Sequence, residues 1–407
     1  MALSLALLLI TSVMASDSAV EEFQATAPMQ LLSELRNGTA WETYKGRKGR
    51  LHSYKGRLHS GHGRNLLSRA VRADGSMPTL RLVRSLQTAS LSAPVYALML
   101  PNGQLLVSDM EANTVWLLAL DGSEHGQLGS TGTFGQPTGL ARGSSNDDIY
   151  VGQQNARGLS RVGLDGIVRA TIGQRESDYG ANATTMVVES ALGVACGGGR
   201  VYVADVTGYR VIGFDEALRV RRFLIDQSSL PSSLTLSLGC TPRTAGGRYQ
   251  GPSCFNPHGL AFSAARGGRL WVSDPDNGAL FLFDTTRAGA FVRAVRDSSL
   301  FTAPRGITLL PPAPSAGFRG ALVVAEARRV VMLSLTGHRL FHALRLVDAV
   351  NILGLSVNSA RREVYAADPA AKAVFVIAYD EVAQNALHLR HEQGAVAVEV
   401  EGRGVEL

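Results

Sequence analysis

From about residue 91 onward, short apolar runs alternate with turns rich in Gly, Pro, Asp and Asn. None of these runs has the 3.6-residue apolar period of a long amphipathic helix, so the pattern predicts β-strands joined by tight turns. The strands recur in a unit that begins with Pro-x-Gly-apolar. An apolar strand ending in an acid follows, and then a polar turn and a second apolar strand. The fourth copy is the clearest, with Pro257-His258-Gly259-Leu260 followed by strands over 270–274 and 280–284.

Six copies of this unit can be aligned on the position that ends the first long strand. The residues at that position are Asp109, Gly152, Asp205, Asp274, Glu326 and Asp368, with Gly152 standing where an acid is expected. A unit of roughly 40–50 residues with three or four strands is typical of a propeller blade. The sequence therefore predicts an all-β fold, a six-bladed β-propeller over 80–382. The alternating segment 80–86 is expected to complete the last blade.

The acids at the end of this strand invite a catalytic interpretation, since paired carboxylates often carry acid–base chemistry. Their recurrence at one position in nearly every unit favours a structural role instead. We expect them to accept hydrogen bonds from backbone N–H groups in the adjacent turns.

The repeat motif resembles that of the NHL-repeat family of six-bladed propellers, and the resemblance covers about three-quarters of the chain. Members of that family serve as scaffolds, ligand binders and occasionally enzymes, so the resemblance implies a fold rather than an activity. Among its enzymes, the secreted peptidylglycine-type amidating lyases carry zinc-binding histidines between the Pro and Gly of several blades. In this sequence that position, called the slot below, holds Val95, Thr138, Leu192, His258, Arg305 and Leu353.

A single histidine is too few for the three protein ligands that such a zinc site requires. The slots also lack the Glu, Asp and Asn cluster that a calcium-dependent lactonase would need. We therefore expect no resident cofactor, with zinc and calcium kept as alternatives. His258 and Arg305 fall in adjacent blades, where they would bind a carboxylate or a phosphate, with Thr138 as a further candidate. For these two side chains we favour the other interpretation, in which each bonds a neighbouring loop carbonyl and excludes water from the channel.

The three cysteines divide into a pair and a single residue. Cys240 and Cys254 flank a Gly-rich insertion, which predicts a loop disulfide worth about 3 kcal/mol in a secreted chain. Cys196 lies in an apolar run and is expected to be a buried free thiol. A nucleophilic pair of Cys254 with His258 is a further alternative.

The N-terminal part of the chain lacks the repeat. Residues 2–10 are uniformly apolar and too short to span a membrane, so we expect a signal peptide over 1–15 and a secreted or extracellular protein, with an organelle lumen as the alternative. In a secreted chain Asn37 and Asn182 would be glycosylation sites. No other stretch predicts a transmembrane segment.

Residues 16–79 are expected to form a disordered linker or a pro-segment. The tract 44–72 within it carries nine of the 40 basic residues and no acid, whereas the rest of the chain has 31 basic and 34 acidic residues. This charge favours contact of the tract with acidic surfaces and argues against specific nucleic-acid binding by the fold. Residues 383–407 form a C-terminal tail with no assigned role.

Together these observations predict a protein- or ligand-binding module. The loops at 226–254 and 311–320 are candidate contact surfaces, because long loops concentrate function. The alternative is a metal-dependent lyase or hydrolase that works at the channel mouth with His258 and Arg305. We favour binding over catalysis.

Overall fold

The computed structural model describes residues 78–155, 158–173, 188–219, 221–238, 240, 253–264, 267–313 and 318–380. The predicted signal peptide, the basic tract, both glycosylation sites and the C-terminal tail lie outside the described residues. Among the described residues, no helix is long and apolar enough to cross a membrane.

The described strands form six antiparallel sheets of four strands each, so the predicted six-bladed β-propeller is confirmed. The first strand along the chain is β1 (Thr79–Leu86). Blade 1 consists of β2 (Pro94–Met99), β3 (Leu105–Asp109), β4 (Thr114–Leu118) and β5 (Glu124–Gln127). Blade 2 consists of β6 (Pro137–Arg142), β7 (Ile149–Gln153), β8 (Leu159–Val162) and β9 (Val168–Ile172). Blade 3 consists of β10 (Ala191–Gly197), β11 (Arg200–Asp205), β12 (Arg210–Asp215) and β13 (Arg221–Ile225).

Blade 4 consists of β14 (Leu260–Ser263), β15 (Arg269–Asp274), β16 (Ala279–Asp284) and β17 (Ala290–Val295). Blade 5 consists of β18 (Ile307–Leu310), β19 (Ala321–Glu326), β20 (Arg329–Ser334) and β21 (Leu340–Arg345). Blade 6 consists of β22 (Gly354–Asn358), β23 (Glu363–Asp368), β24 (Ala373–Asp380) and the returning strand β1. A short helix, α1 (Ser232–Leu238), lies in the insertion between blades 3 and 4.

Strand β1 closes the ring as the sequence predicts. It pairs antiparallel with β24, from Thr79 opposite Asp380 to Leu86 opposite Val374. Blade 6 therefore combines the two ends of the described chain, and it is the blade that reaches four strands because β1 returns from the other end.

Two faces follow from the up-and-down order of each blade. The connections after the second and fourth strands lie on one face, called the upper face below, and the other connections lie on the lower face. The described part of the insertion that contains α1 follows a fourth strand and belongs to the upper face, whereas the described ends of the loop at 311–320 follow a first strand and belong to the lower face. The two predicted contact loops are therefore on opposite sides of the disc.

The core lies between neighbouring blades. One cluster joins Leu106 and Val115 of blade 1 to Leu140 and Val162 of blade 2, all of them buried. The second and third strands are covered on both sides, which explains why their sequences are continuous apolar runs rather than alternating ones. The outer strands, such as β5 and β9, face water on one side and carry polar side chains.

The residue before each acid position is small and buried in every blade: Ser108, Gly152, Ala204, Ser273, Ala325 and Ala367. Small side chains here allow the inner strand of the next blade to approach closely. At Gly152, for example, an added Cβ atom would lie 3.1 Å from the Cβ of Ala191 in blade 3. Ser108 and Ser273 also donate their hydroxyls across these seams, to the carbonyls of Thr138 and Arg305 respectively.

The expected structural role of the repeated acids is confirmed. Asp109 accepts the backbone N–H groups of Ser92, Ala93 and Ala112, and Asp368 accepts those of Val350, Asn351 and Ala371. Each carboxylate thereby ties the loop before its own blade to the turn after it.

The alignment of blade 2 needs a correction by one residue. Gln153, and not Gly152, pairs with Pro137 as Asp109 pairs with Pro94. Its side-chain oxygen accepts the N–H of Gly135 at 2.8 Å. A neutral amide therefore replaces the acid in this blade, which is why a pattern based on charge misses the position.

Candidate functional site

The centre of the propeller is nearly closed by the backbones of the inner strands. A Cβ atom added to Gly193 would lie 2.2 Å from the carbonyl oxygen of His258, and one added to Gly259 would lie 2.4 Å from that of Arg305. The same close approach to the next blade recurs at Gly139, Gly306 and Gly354. The glycine of the Pro-x-Gly motif is thus required because no side chain fits between neighbouring inner strands.

In blade 1 a tyrosine replaces this glycine. The Tyr96 ring approaches Gly354 of blade 6, where an added Cβ atom would lie 2.6 Å from the Cδ2 atom of Tyr96. Burial raises the pKa of Tyr96 well above its usual value. The remaining cavity at the centre has a volume of about 20 Å³, which holds about one water molecule. The centre of the channel therefore has no room for a ligand larger than water.

The slot residues lie at the upper end of this closed channel. Three of them are apolar (Val95, Leu192 and Leu353) and three are polar (Thr138, His258 and Arg305). Val95 and Leu192 line the cavity on the side of blades 1 and 3. Thr138 is fully buried, and its hydroxyl donates to the carbonyl of Ala191 at 2.8 Å. The structure therefore does not bring the Thr138 hydroxyl together with His258 and Arg305.

His258 is largely buried at the start of the inner strand of blade 4. Its backbone N–H donates to the carbonyl of Ser273 at 2.9 Å, which fixes the position of the residue. The Nδ1 atom of its imidazole is buried and has no hydrogen-bond partner among the described residues. Burial and the charge of Arg305 lower the pKa of His258 to about 4, so the imidazole is neutral at pH 7.

Arg305 occupies the same slot in blade 5, beside His258. Its backbone N–H donates to the carbonyl of Ala325 at 2.8 Å, and its Nη1 atom donates to the side-chain oxygen of Asn351. The Nε atom is buried and has no partner among the described residues. Burial lowers the pKa of Arg305, whereas the negative charges of Asp276 and Asp368 raise it. The guanidinium is thus held in place by one amide while a buried donor remains unused.

Four further polar residues, Asn256, Asp274, Asp276 and Asn351, lie near the pair. Asn351 comes from blade 6, and Asn256 donates from its side chain to the exposed Asp276 at 2.7 Å. Asp274 lies beneath them and accepts the N–H groups of Asn256 and Asn277. Burial raises the pKa of Asp274 to about 7 although these donors lower it, and the charge of Asp276 raises it further.

Asn256 and Asn351 share a position that the sequence analysis missed. Each stands two residues before its slot, at 258 and 353 respectively, so the motif itself contained the signal. Polar residues at that position would have added two side chains to the candidate site.

The residues near the mouth that are of a metal-binding type include His258, Asp274 and Asp276. Among the described residues, no group of three or more His, Cys, Asp or Glu side chains is placed to hold a metal ion. The side chains here offer a guanidinium, an imidazole and two amides beside the carboxylates of Asp274 and Asp276. The guanidinium is the group suited to carboxylate or phosphate oxygens.

The predicted disulfide between Cys240 and Cys254 is present, with a Cα–Cα distance of 5.2 Å. Both cysteines are buried, and the bond closes the insertion on the upper face. Cys196 is a free thiol in β10, and burial raises its pKa well above the usual value, which makes it a poor nucleophile. With Cys254 in the disulfide, the alternative nucleophilic pair with His258 is not formed.

The geometry thus defines a closed six-bladed propeller with a polar half-ring at the upper mouth of its channel. No protein-family model and no curated protein matches the sequence. Among solved structures, the chain is similar to virginiamycin B lyase from Staphylococcus aureus, at 12% identity over 74% of this chain and 99% of that one, with a TM-score of 0.48.

It is also similar to a gluconolactonase from Xanthomonas campestris, at 13% identity over 76% of this chain and 98% of the other, with a TM-score of 0.49. A chain of a nidogen/laminin complex shows 12% identity over 68% of this chain and 97% of that one, with a TM-score of 0.49. Similarity at this level assigns neither an activity nor a partner to the chain.

Proposed function

We propose that this propeller, whose repeats resemble those of the NHL family, is a secreted binding module that holds an anionic group at the upper mouth of its channel. The observation that carries the proposal is the pair of buried, unpartnered atoms, Nδ1 of His258 and Nε of Arg305. A buried polar atom without a partner costs about 1–3 kcal/mol, so two such atoms at one mouth favour a ligand that satisfies them.

The charge of the mouth favours an anion. Among the described residues, Arg305 forms no ion pair with a carboxylate, and its one side-chain partner is the neutral Asn351. A guanidinium binds carboxylate and phosphate oxygens with particular strength because its donors match their geometry. Asp276 lies close enough to influence both His258 and Arg305, and its negative charge weakens the attraction of the mouth for an anion.

The test uses inorganic phosphate and acetate as probes on the full chain, with the imidazole signals of histidine followed by NMR. We expect saturable shifts of the His258 signal, which a His258→Gln variant identifies by its loss. Arg305→Gln should weaken binding by about tenfold or more, since a charge-assisted hydrogen bond is lost.

Arg287→Gln is the matched control for this test. Arg287 lies in blade 4 and carries the same charge as Arg305, but its side chain is 81% exposed and pairs with Asp284. The Arg287→Gln variant should bind the probes as the unmodified protein does. Equal loss in both variants, or full binding by Arg305→Gln, would contradict the mouth as the site.

Catalysis at the mouth by a metal-dependent lyase or hydrolase is the second candidate from the sequence, and the geometry favours it less. A base with a pKa of about 4 is weak at neutral pH, and the channel below has room for about one water molecule. Metal analysis of the purified chain beside His258→Ala decides between the two. Stoichiometric zinc or calcium that is lost in the variant would replace the binding proposal with the enzymatic one.

The proposed secretion is supported by the apolar run at 2–10 and by the disulfide between Cys240 and Cys254. Its test is N-terminal sequencing of protein recovered from the medium of secreting cells. A mature chain that begins near residue 16 would support it, and retention of the apolar run would contradict it.

A further inference from the structure

A second site candidate lies on the upper face, in a groove between blades 4 and 5. The groove has a volume of about 370 Å³ and is lined by Asn277, Arg296, Asp297, Ser298, Phe301 and Thr302. A volume of this size falls within the roughly 300–1,000 Å³ range of small-ligand pockets. None of these residues lines the cavity at the channel, so the groove is a separate feature of the same face.

We propose that this groove binds an extended acidic peptide segment of a partner protein through a carboxylate held by Arg296. The proposal adds a second site to the binding function proposed above and names the chemistry of its partner. It stands on the orientation of Arg296, on the hydrogen-bonding groups around it and on an exposed apolar side chain of helix α1.

Arg296 is exposed and oriented by carbonyl groups. Its Nε atom donates to the carbonyl of Asn277 at 3.3 Å, and its Nη1 atom donates to that of Ser237 at 3.5 Å. It forms no ion pair with any carboxylate of the described residues. These two long bonds direct the guanidinium into the groove without neutralising it, which leaves its charge for an incoming carboxylate.

The groove also contains a negative charge, that of the exposed Asp297, which its hydrogen bonds do not remove. Asp297 uses its Oδ1 atom to accept the N–H and the hydroxyl of Ser299, at 2.9 and 2.6 Å. Its Oδ2 atom is an acceptor for a peptide N–H group. Phe301 is only 1% exposed and therefore offers little surface to a ligand, and the hydroxyl of Thr302 already donates to Glu326 at 3.0 Å. An extended peptide supplies both groups that this arrangement needs, a carboxylate and backbone N–H donors.

The insertion between blades 3 and 4 forms the neighbouring wall. Helix α1 supplies the Ser237 carbonyl that holds Arg296, and Asn277 donates from its side chain to the carbonyl of Ser253 at 3.0 Å. The disulfide at Cys254 fixes that part of the insertion. Leu236 on α1 is 79% exposed and precedes Ser237, whose carbonyl binds Arg296, so an exposed apolar side chain belongs to the residue next to this contact.

The experiment measures peptide binding to the full chain by isothermal titration calorimetry. The probe is acetyl-Leu-Gly-Glu-amide, with acetyl-Leu-Gly-Gln-amide as the uncharged comparison. A third peptide, acetyl-Leu-Gly-Gln with a free C-terminus, distinguishes a terminal carboxylate from a side-chain carboxylate. We expect saturable binding of a carboxylate-bearing peptide at millimolar concentration and about tenfold weaker binding of the uncharged one.

Three variants locate the site. Arg296→Gln should remove the preference for the charged peptide, and its thermal unfolding should be unchanged because the residue is exposed. Leu236→Ser should weaken the binding of all three peptides without removing that preference. Arg305→Gln should leave peptide binding intact, which separates this groove from the channel mouth.

Failure of the two proposals can be told apart. No saturable binding of any peptide at millimolar concentration, or binding that Arg296→Gln leaves unchanged, overturns the groove as a carboxylate site even if phosphate binds at the mouth. Loss of peptide binding in Arg305→Gln assigns the peptide to the mouth and likewise overturns the groove.

Discussion

At the scale of single residues, the mouth of the channel combines two groups whose surroundings shift their pKa values toward the neutral form at pH 7: the pKa of His258 is lowered and that of Asp274 is raised. Burial and Arg305 disfavour the charged form of His258, and burial with Asp276 disfavours the charged form of Asp274. Such opposed shifts at one place are typical of sites that bind charged ligands, although buried structural networks produce them as well. They also make folding stability depend on pH in a way that can be measured.

His258 should make the protein less stable as the pH falls from 6.5 to about 4. Its pKa is 6.5 in the unfolded chain and about 4 in the folded one, so the unfolded state binds more protons throughout this interval. Over 2.5 units the loss amounts to about 3 kcal/mol. A His258→Phe variant should lose less stability over the same interval in urea unfolding.

The comparison with the unmodified protein isolates His258 from the other titrating groups. The raised pKa of Asp274 acts in the opposite direction, because the folded state then binds more protons between pH 3.8 and 7. That contribution is common to both proteins and cancels in the difference. Parallel curves of stability against pH for the two proteins would show that the imidazole is already solvated in the fold.

At the scale of elements, the inner strands and the insertion have different tasks. The inner strands pack backbone against backbone through their glycines, which closes the channel and presents the slot residues at its upper end. The insertion contributes α1 and a disulfide on the upper face, and it holds Arg296 through a carbonyl. The strands thus position the mouth, whereas the insertion positions the groove.

Reduction of the Cys240–Cys254 bond should lower the free energy of unfolding by about 3 kcal/mol. The bond spans a sequence separation of 14 residues, and opening it restores conformational freedom to that loop in the unfolded chain. Urea unfolding with and without dithiothreitol measures the effect. Cys240→Ser should match the reduced protein and respond no further to the reductant, while Cys196→Ser should respond as the unmodified protein does.

At the scale of the whole molecule, closure by β1 determines whether a ring exists. This strand pairs with β24 over almost its entire length, and its own side chains Leu80 and Leu86 are buried. Leu80 also donates its N–H to the Nδ1 atom of His342 in blade 5 at 3.2 Å. The ring is therefore joined both within blade 6 and to its neighbour.

A chain that begins at residue 87 should fail to form a stable monomeric propeller. Removal of β1 leaves the edge of β24 unpaired and exposes apolar side chains, and both changes favour aggregation. Size-exclusion chromatography and thermal unfolding should show aggregates and the loss of a cooperative transition. A chain that begins at residue 78 keeps all six sheets and is the control. A monomeric, cooperatively unfolding chain from residue 87 would contradict the role of β1.

Many features of this molecule depend on residues close together in the chain and could be predicted from the sequence. The six repeats, their strands, the closing segment at 80–86 and the role of the repeated acids each depend on residues close together or on a motif that recurs. The disulfide follows from two cysteines around one insertion. Gln153 was missed because the position needs an acceptor and not a charge, and an amide satisfies it equally well.

The tertiary structure alone decided how the blades meet. Asn256, His258, Arg305 and Asn351 come from three blades, and only closure of the ring places them around one mouth. The burial that leaves His258 and Arg305 with unpartnered atoms likewise depends on neighbours more than 40 residues away, such as Leu353 and Val95 across the channel. A repeat specifies each blade, but hydrogen-bond partners and desolvation are properties of the assembled ring.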